Sequence, residues 1–300
     1  MSKITLQTSN AVIIAALLIC QAYAANEPEF DFKAAAGYHY DSNVSVSELD
    51  TNTGEADSAI LLEVSADASI PVNAALSVKL GYGYSQTSYQ EYSEFDTAVH
   101  RLQGDLLYRL GGFDTGLALR HFAARLDNQR LLDIRQVSPN VARLLGRNVY
   151  LRGSYTHSEK LYADRAERDA TNDALDLDVY LLLDGMRRYL SFSYRLDSED
   201  AAAAELDFNG KRARLAFGQR FDKLELKLRL QVEERDYAHL NEELAEARRD
   251  RRVRAGVDAK YAVTEMFSVE GGAQVADSKS NLPGAAFDEI TYSINFAAAF

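Results

Sequence analysis

Tryptophan is absent from the 300 residues, cysteine occurs once and proline only four times. Runs of eighteen or more apolar residues are also missing, so no transmembrane helix is encoded. That exclusion does not reach strands, because a strand crossing a bilayer is apolar on one face only. Basic residues are in deficit, with 33 Lys and Arg against 45 Asp and Glu and a net charge of −12. A chain this acidic repels phosphate backbones, which argues against a nucleic-acid partner. Catalytic signatures are missing too. There is no nucleophile elbow, metal-binding histidine pair, glycine-rich phosphate loop or calcium loop of the EF-hand type. Of the five histidines, only His39 (near Asp41 and Ser42) and His157 (beside Ser158) sit near strand ends with candidate partners. Neighbours along a strand point to opposite faces, so His157 and Ser158 do not make a nucleophile–base pair. No metal, cofactor or enzymatic activity is expected.

The single cysteine, Cys20, closes an apolar run over residues 11–20 that follows Lys3 and precedes Ala22-Tyr23-Ala24. A basic start, a short apolar core and a small-x-small site make a secretory signal. Residues 1–24 are therefore expected to direct Sec export and to be cleaved after Ala24, leaving 25–300 as one domain. Cys20 also admits acylation at a lipoprotein site, against which the bulky Ile19 stands. With cleavage at Ala24, disulfides and cysteine chemistry are lost with the signal.

What the chain does have is alternation. Leu175, Leu177, Val179, Leu181 and Leu183 alternate with Asp176, Asp178, Tyr180 and Leu182. Leu224, Leu226, Leu228, Leu230 and Val232 alternate with Glu225, Lys227, Arg229, Gln231 and Glu233. A period of two predicts strands with one aliphatic and one charged face. The same pattern runs through residues 288–300, with Ile290, Tyr292, Ile294, Phe296, Ala298 and Phe300 on one face. This ending resembles the C-terminal signal of Gram-negative outer-membrane proteins. The resemblance implies that Tyr292, Phe296 and Phe300 are read by the barrel assembly machinery.

The connections keep a two-beat rhythm. Short turns are expected near 71–74, 111–114, 146–148, 184–187, 221–223 and 263–265. Longer polar loops are expected near 41–57, 86–95, 127–132, 159–172, 197–207, 238–248 and 277–287. Thirteen connections imply about fourteen strands, an even number that leaves both termini at the periplasmic end. The expected fold is all-β, a transmembrane antiparallel up-and-down barrel set in outer-membrane lipid and lipopolysaccharide. Tyr89, Tyr92, Tyr108, Tyr162, Tyr189 and Tyr261 fall near strand ends and are expected to supply the aromatic girdles.

On this register Arg195, Arg212, Arg214, Glu225, Arg229, Glu233, Arg252, Arg254 and Glu270 face the lumen. Two readings stay open. The arginines form an anion-favouring constriction, or Glu225 and Glu233 pair with Arg212, Arg214 or Arg252 in a rigid lattice. No loop has the length of a dedicated constriction, and Glu48, Asp50, Glu55 and Glu199 are expected in acidic external loops. The run over 242–254 is expected to be a solvated loop and strand end. Finally, residues 37–44 (Gly-Tyr-His-Tyr-Asp-Ser-Asn-Val) resemble the opening hairpin of surface lipoprotein assembly modifiers and of a family of β-barrel porins. The expected function is passive diffusion of small hydrophilic solutes, anions among them. The alternative is a non-conducting barrel for surface-protein assembly or polysaccharide export.

Overall fold

The structure, a computed structural model, describes residues 27–241 and 244–300. The expected signal segment, with Cys20 and the cleavage site, lies outside them, as do Glu242 and Glu243. Fourteen antiparallel strands close into a barrel. In chain order they are β1 (Glu29–Asp41), β2 (Asp57–Pro71), β3 (Leu76–Tyr89), β4 (Thr97–Leu110), β5 (Phe113–Leu126), β6 (Gln129–Leu145) and β7 (Val149–Tyr162). There follow β8 (Ala170–Leu183), β9 (Arg188–Ala201), β10 (Phe208–Arg220), β11 (Leu224–Asn241), β12 (Glu246–Ala262), β13 (Phe267–Ser280) and β14 (Phe287–Ala299). Each strand pairs with its neighbours in sequence, and β14 closes on β1 from Lys33 opposite Ala299 to Asp41 opposite Thr291. Closure removes the open edges that a sheet in lipid cannot satisfy.

Two of the expected loops are corrected. Residues 127–132 do not form a loop; Asp127 and Asn128 alone turn the chain, with φ of 48° and 59°. Both sit in the left-handed region that a two-residue hairpin of the primed type needs, and Asp and Asn tolerate it. Most of the stretch over 238–254 is likewise strand. β11 and β12 run 18 and 17 residues and pair to Asn241 opposite Glu246, across an irregularity between Asp236 and Leu240. Alternating charge on both strands lets the pairing continue past the lipid into water.

The outward face is aliphatic, with Leu62, Val64, Leu102, Leu175, Leu177, Leu228 and Leu230 all exposed. Ile290, Tyr292, Ile294, Phe296 and Phe300 continue that face to the end of the chain. The girdle assignment needs correction as well. Tyr108 and Tyr261 do point outward. Tyr89 turns inward, its hydroxyl 3.4 Å from Asp41, and Tyr162 packs on an apolar cluster inside the barrel. Tyr189 also faces the lumen, its ring lying over Gly218, where a Cβ would come within 2.1 Å of it. The position before a turn does not by itself decide which face a tyrosine takes; the register does.

Leu228 lies on the apolar face of β11, away from both ends. Leu228→Arg should cost about 2–4 kcal/mol in lipid vesicles. Equilibrium denaturation of the refolded barrel checks this, and an unchanged midpoint would place Leu228 away from lipid.

Candidate functional site: a loop folded into a basic lumen

Residues 42–56 leave β1 and turn into the barrel rather than away from it. Their start is pinned by the segment that the sequence singled out. Asn43 donates its backbone N–H to Asp41 Oδ1 at 2.9 Å and its side-chain amide to the Asp288 carbonyl at 3.3 Å. Its Oδ1 accepts the Gly54 N–H at 2.9 Å, which ties the two ends of the loop together. Val44 is fully buried, and its N–H and C=O bond to the Glu55 carbonyl and the Thr53 N–H at 3.1 and 2.9 Å. Beyond it, Ser45–Val46 and Thr51–Asn52 pair as a small ribbon around a single 3₁₀ turn, Ser47–Leu49. Asp50 closes the turn in the left-handed conformation, φ 55°.

Two anchors fix the tip. Val46 and Leu49 pack against Leu131, Leu132 and Ile134 of β6, with Phe95 and Tyr162 alongside. Burial of such side chains contributes roughly 1.5–3 kcal/mol each. The second anchor is ionic. Asp50 accepts from Arg168 Nη2 at 2.9 Å and from Arg248 Nη2 at 2.6 Å. Arg248 is 4% exposed; it also bonds Asp250 at 2.8 Å and stacks over the Tyr237 ring. Arg168 lies between β7 and β8, across the barrel from β1, so the loop spans the lumen. Burial pushes the Asp50 carboxyl up, and Arg248 and Arg168 outweigh that and hold it below the ordinary aspartate range. The last loop adds a clamp, since Asn52 donates to the Gly284 carbonyl at 2.9 Å.

This overturns two expectations. A loop of this length does reach inside as a constriction, and Glu48 and Asp50 are internal rather than external acids. Glu199 also points inward and pairs with Lys160. The outward or inward course of a loop depends on partners 118 and 198 residues away, which local composition does not reveal.

The loop closes against β6 without filling the lumen, and open space remains beneath it and along β9 to β13. Three cavities follow that side, of about 350, 580 and 610 Å³, the first of them reaching across to Leu132 and Ile134 of β6 and Lys160 and Tyr162 of β7. The first, under the loop, shares Arg214, Gln231 and Arg254 with the second. The second shares Met186, Tyr189 and Lys227 with the third, near the short-turn end.

The nine residues assigned to the lumen face it but do not act as one set. Around the first cavity, Arg212 binds Glu233 through Nε and Nη2, both at 3.0 Å. Arg235 reaches the same carboxylate at 2.8 Å, and Arg254 stands 4.0 Å from it. Arg252 bonds Ser278 at 2.7 Å and, across to the loop, Ser47 at 3.0 Å. Arg195 pairs with Asp176 at 3.1 Å. Lower down, Arg229 pairs with Asp258 at 2.7 Å. Glu225 pairs with Arg220, not with Arg212, Arg214 or Arg252, because its strand position lies at the short-turn end. Glu270 holds Lys33 and Lys260, both at 3.1 Å. The structure thus contains a partial ion-pair lattice together with open space. Sequence reading missed Ser47, Asp50, Arg168 and Arg248. The one available signal was the Asp41-Ser42-Asn43-Val44 segment.

The histidines sit apart from this region. His157 faces outward on Asp173 at 2.8 Å, whereas Ser158 is buried on the lumen face beside Gln136.

Comparison with known proteins bears on the whole barrel. The family model described as surface lipoprotein assembly modifier matches residues 31–261. No curated protein sequence matches the chain. Among solved structures, an anion-selective porin from Comamonas acidovorans is similar with TM-score 0.55 and 9% identity, over 91% of this chain and 99% of that one. OmpT of Vibrio cholerae, an outer-membrane protein, is similar with TM-score 0.55 and 10% identity, over 92% and 99%. OmpF of Salmonella typhi in complex with daunomycin gives 0.53 and 10%, over 92% and 98%. At such identities the likeness is one of fold.

Asp50→Asn removes the charge that both arginines share; because Asp250 still holds Arg248 and Arg168 is partly exposed, the cost should be about 1–3 kcal/mol. The loss should fall on loop docking. A spin label at Glu55→Cys is expected to become mobile in Asp50→Asn while the barrel stays folded. Because the folded-state pKa is depressed, the wild-type contribution is complete above the ordinary aspartate value (about 3.9). It is lost as pH falls below that value through the folded-state pKa. The label should therefore stay immobile from pH 7 down to the aspartate range and loosen only below it.

Proposed function

This chain belongs to the surface lipoprotein assembly modifier family, and we propose that its barrel is a constricted, porin-like channel for passive diffusion of small hydrophilic solutes. The observation that carries the reading is the series of three cavities with shared linings, running from beneath the loop to the short-turn end. Fourteen strands enclose more space than the eight whose interior side chains fill completely. Here the infolded loop does not fill the lumen. The charged lining of the open space suits hydrated solutes rather than apolar ones. On this reading the barrel is an integral outer-membrane protein surrounded by lipid and lipopolysaccharide. Its C-terminal Tyr292, Phe296 and Phe300 serve as the signal for the barrel assembly machinery, and it performs no catalysis.

A second reading rests on the family itself. Its name describes the assembly of surface lipoproteins, and the ion-pair lattice could serve a rigid, non-conducting barrel that partners such a system. The two readings differ in whether ions pass.

Planar-bilayer recording of the refolded protein separates them. The channel reading expects discrete conductance steps. Deleting residues 45–52, the ribbon with its turn, should increase the step size several-fold, as expected when a pore loses its constriction. A folded, heat-modifiable barrel that shows no steps, with or without the ribbon, would remove the channel reading and leave the assembly reading.

A further inference from the structure

Among the described residues many inward cations pair with an acid, but at the junction of the first two cavities the matching is incomplete. Arg214, Gln231 and Arg254 are direct register partners on β10, β11 and β12. The flanking positions of the same row are Ser193 on β9 and Ala276 on β13, so no carboxylate lies beside either arginine within the row. Arg214 Nε donates to Gln231 Oε1 at 2.7 Å. The other end of that amide donates to Glu233 Oε2 at 3.3 Å, which fixes its orientation. Gln231 thus holds Arg214 by one edge and leaves its two Nη groups directed elsewhere. Glu233, in the next row, is shared by Arg212, Arg235 and Gln231, and Arg254 reaches it only at 4.0 Å. The row's own acids, Asp178 and Glu289, lie one strand further out, opposite Ser193 and Ala276. The next arginine down, Arg229, is neutralised by Asp258.

Two guanidinium groups without a close acid of their own therefore flank one neutral amide. Strand spacing puts their backbones about 10 Å apart, a gap that both side chains can reach across. A guanidinium fork matches the two oxygens of a carboxylate or phosphate and binds them more tightly away from bulk water. Both arginines line the outer and the middle cavity, so whatever moves between the two passes them.

We propose that Arg214 and Arg254, spaced by Gln231, form a seat for the oxyanion of a small solute, a carboxylate or a phosphate. This deepens the channel reading, on which the solute reaches the seat through the lumen, by naming the class of solute that the lumen selects.

Equilibrium binding tests the seat apart from conduction. Titration calorimetry of the refolded barrel in detergent at low salt, with succinate in one series and inorganic phosphate in another, should show saturable binding of at least one of them. Binding of succinate alone assigns a carboxylate seat, and binding of phosphate alone a phosphate seat. Arg214→Gln and Arg254→Gln should each weaken binding about tenfold or more, as loss of a charge-assisted fork does. Arg214→Lys and Arg254→Lys keep the charge and lose the fork, and should weaken it several-fold; they carry the test if the Gln variants do not fold. The proposal falls if the wild type binds neither anion, or if the Lys variants bind as the wild type does. Conduction without binding would leave the channel and remove the seat. Binding that the variants abolish, in a barrel that never conducts, would keep the seat and remove the channel.

Discussion

The loop inside this barrel depends on one half-buried carboxylate. Asp50 sits between Arg168 and Arg248, and through them the tip of the loop over 42–56 is tied to the β7–β8 connection and to β12. A charge moved out of water needs partners that replace the lost hydration. Two arginines achieve this for Asp50, and Asp250 balances Arg248 in turn. The result is a nearly neutral cluster of two acids and two bases. It can be buried at low cost as a unit, but not in pieces. The apolar contacts of Val46 and Leu49 with β6 add attraction without direction, whereas the ionic cluster fixes where the tip stops. That stop sets how far the loop reaches into the barrel and leaves the cavities beneath it and along β9 to β13 open.

The first residues of the loop have the complementary task. A chain leaving a strand edge at the membrane surface continues outward by default, because water satisfies its backbone there. Turning it inward requires that the backbone groups it carries be satisfied by protein. Asp41 accepts the Asn43 N–H, Asn43 bridges to Asp288 and Gly54, and the fully buried Val44 pairs on both sides with the far end of the loop. Ser42 completes the set, donating its N–H to the Ile290 carbonyl at 3.0 Å and accepting the Ile290 N–H on Oγ at 2.8 Å. Four consecutive residues thus place the root of the loop against β14, and the chain closes over them.

The wall of the barrel was legible in the sequence and its contents were not. Period-two alternation in residues such as Leu224 to Val232 reports directly on which side of each strand meets lipid, since a charge facing the middle of the lipid layer is costly. The charged side obeys a weaker rule. Any acid or base is acceptable facing water, so alternation shows that Arg212 and Glu225 face inward but not that Glu233 takes the first and Arg220 the second. Pairing follows stagger between strands, which is set by closure of the whole sheet. The tyrosines show the same limit: Tyr89, Tyr162 and Tyr189 lie close to strand ends, as a girdle would, yet one residue of register sends each inward. The infolded loop was least legible, because its composition, rich in Ser, Asn, Thr and Asp, is what a solvated loop also has. Only its opening segment carried a trace, and only through likeness to a family.

Charge distribution joins these points. The chain as a whole is strongly acidic, yet arginine and lysine outnumber acids in the lining of the cavity under the loop. The excess is not spread evenly. Where the loop docks, bases and acids match in number, as a stable packed cluster demands. Two inward rows further along, at Arg214, Gln231 and Arg254, a neutral amide takes the place where a matching lattice would put an acid. A lattice built only for rigidity gains nothing from leaving two neighbouring cations without a close carboxylate of their own, because their mutual repulsion works against the fold. Retaining that repulsion is consistent with a partner supplied from solution, and an open lumen is what allows such a partner to arrive.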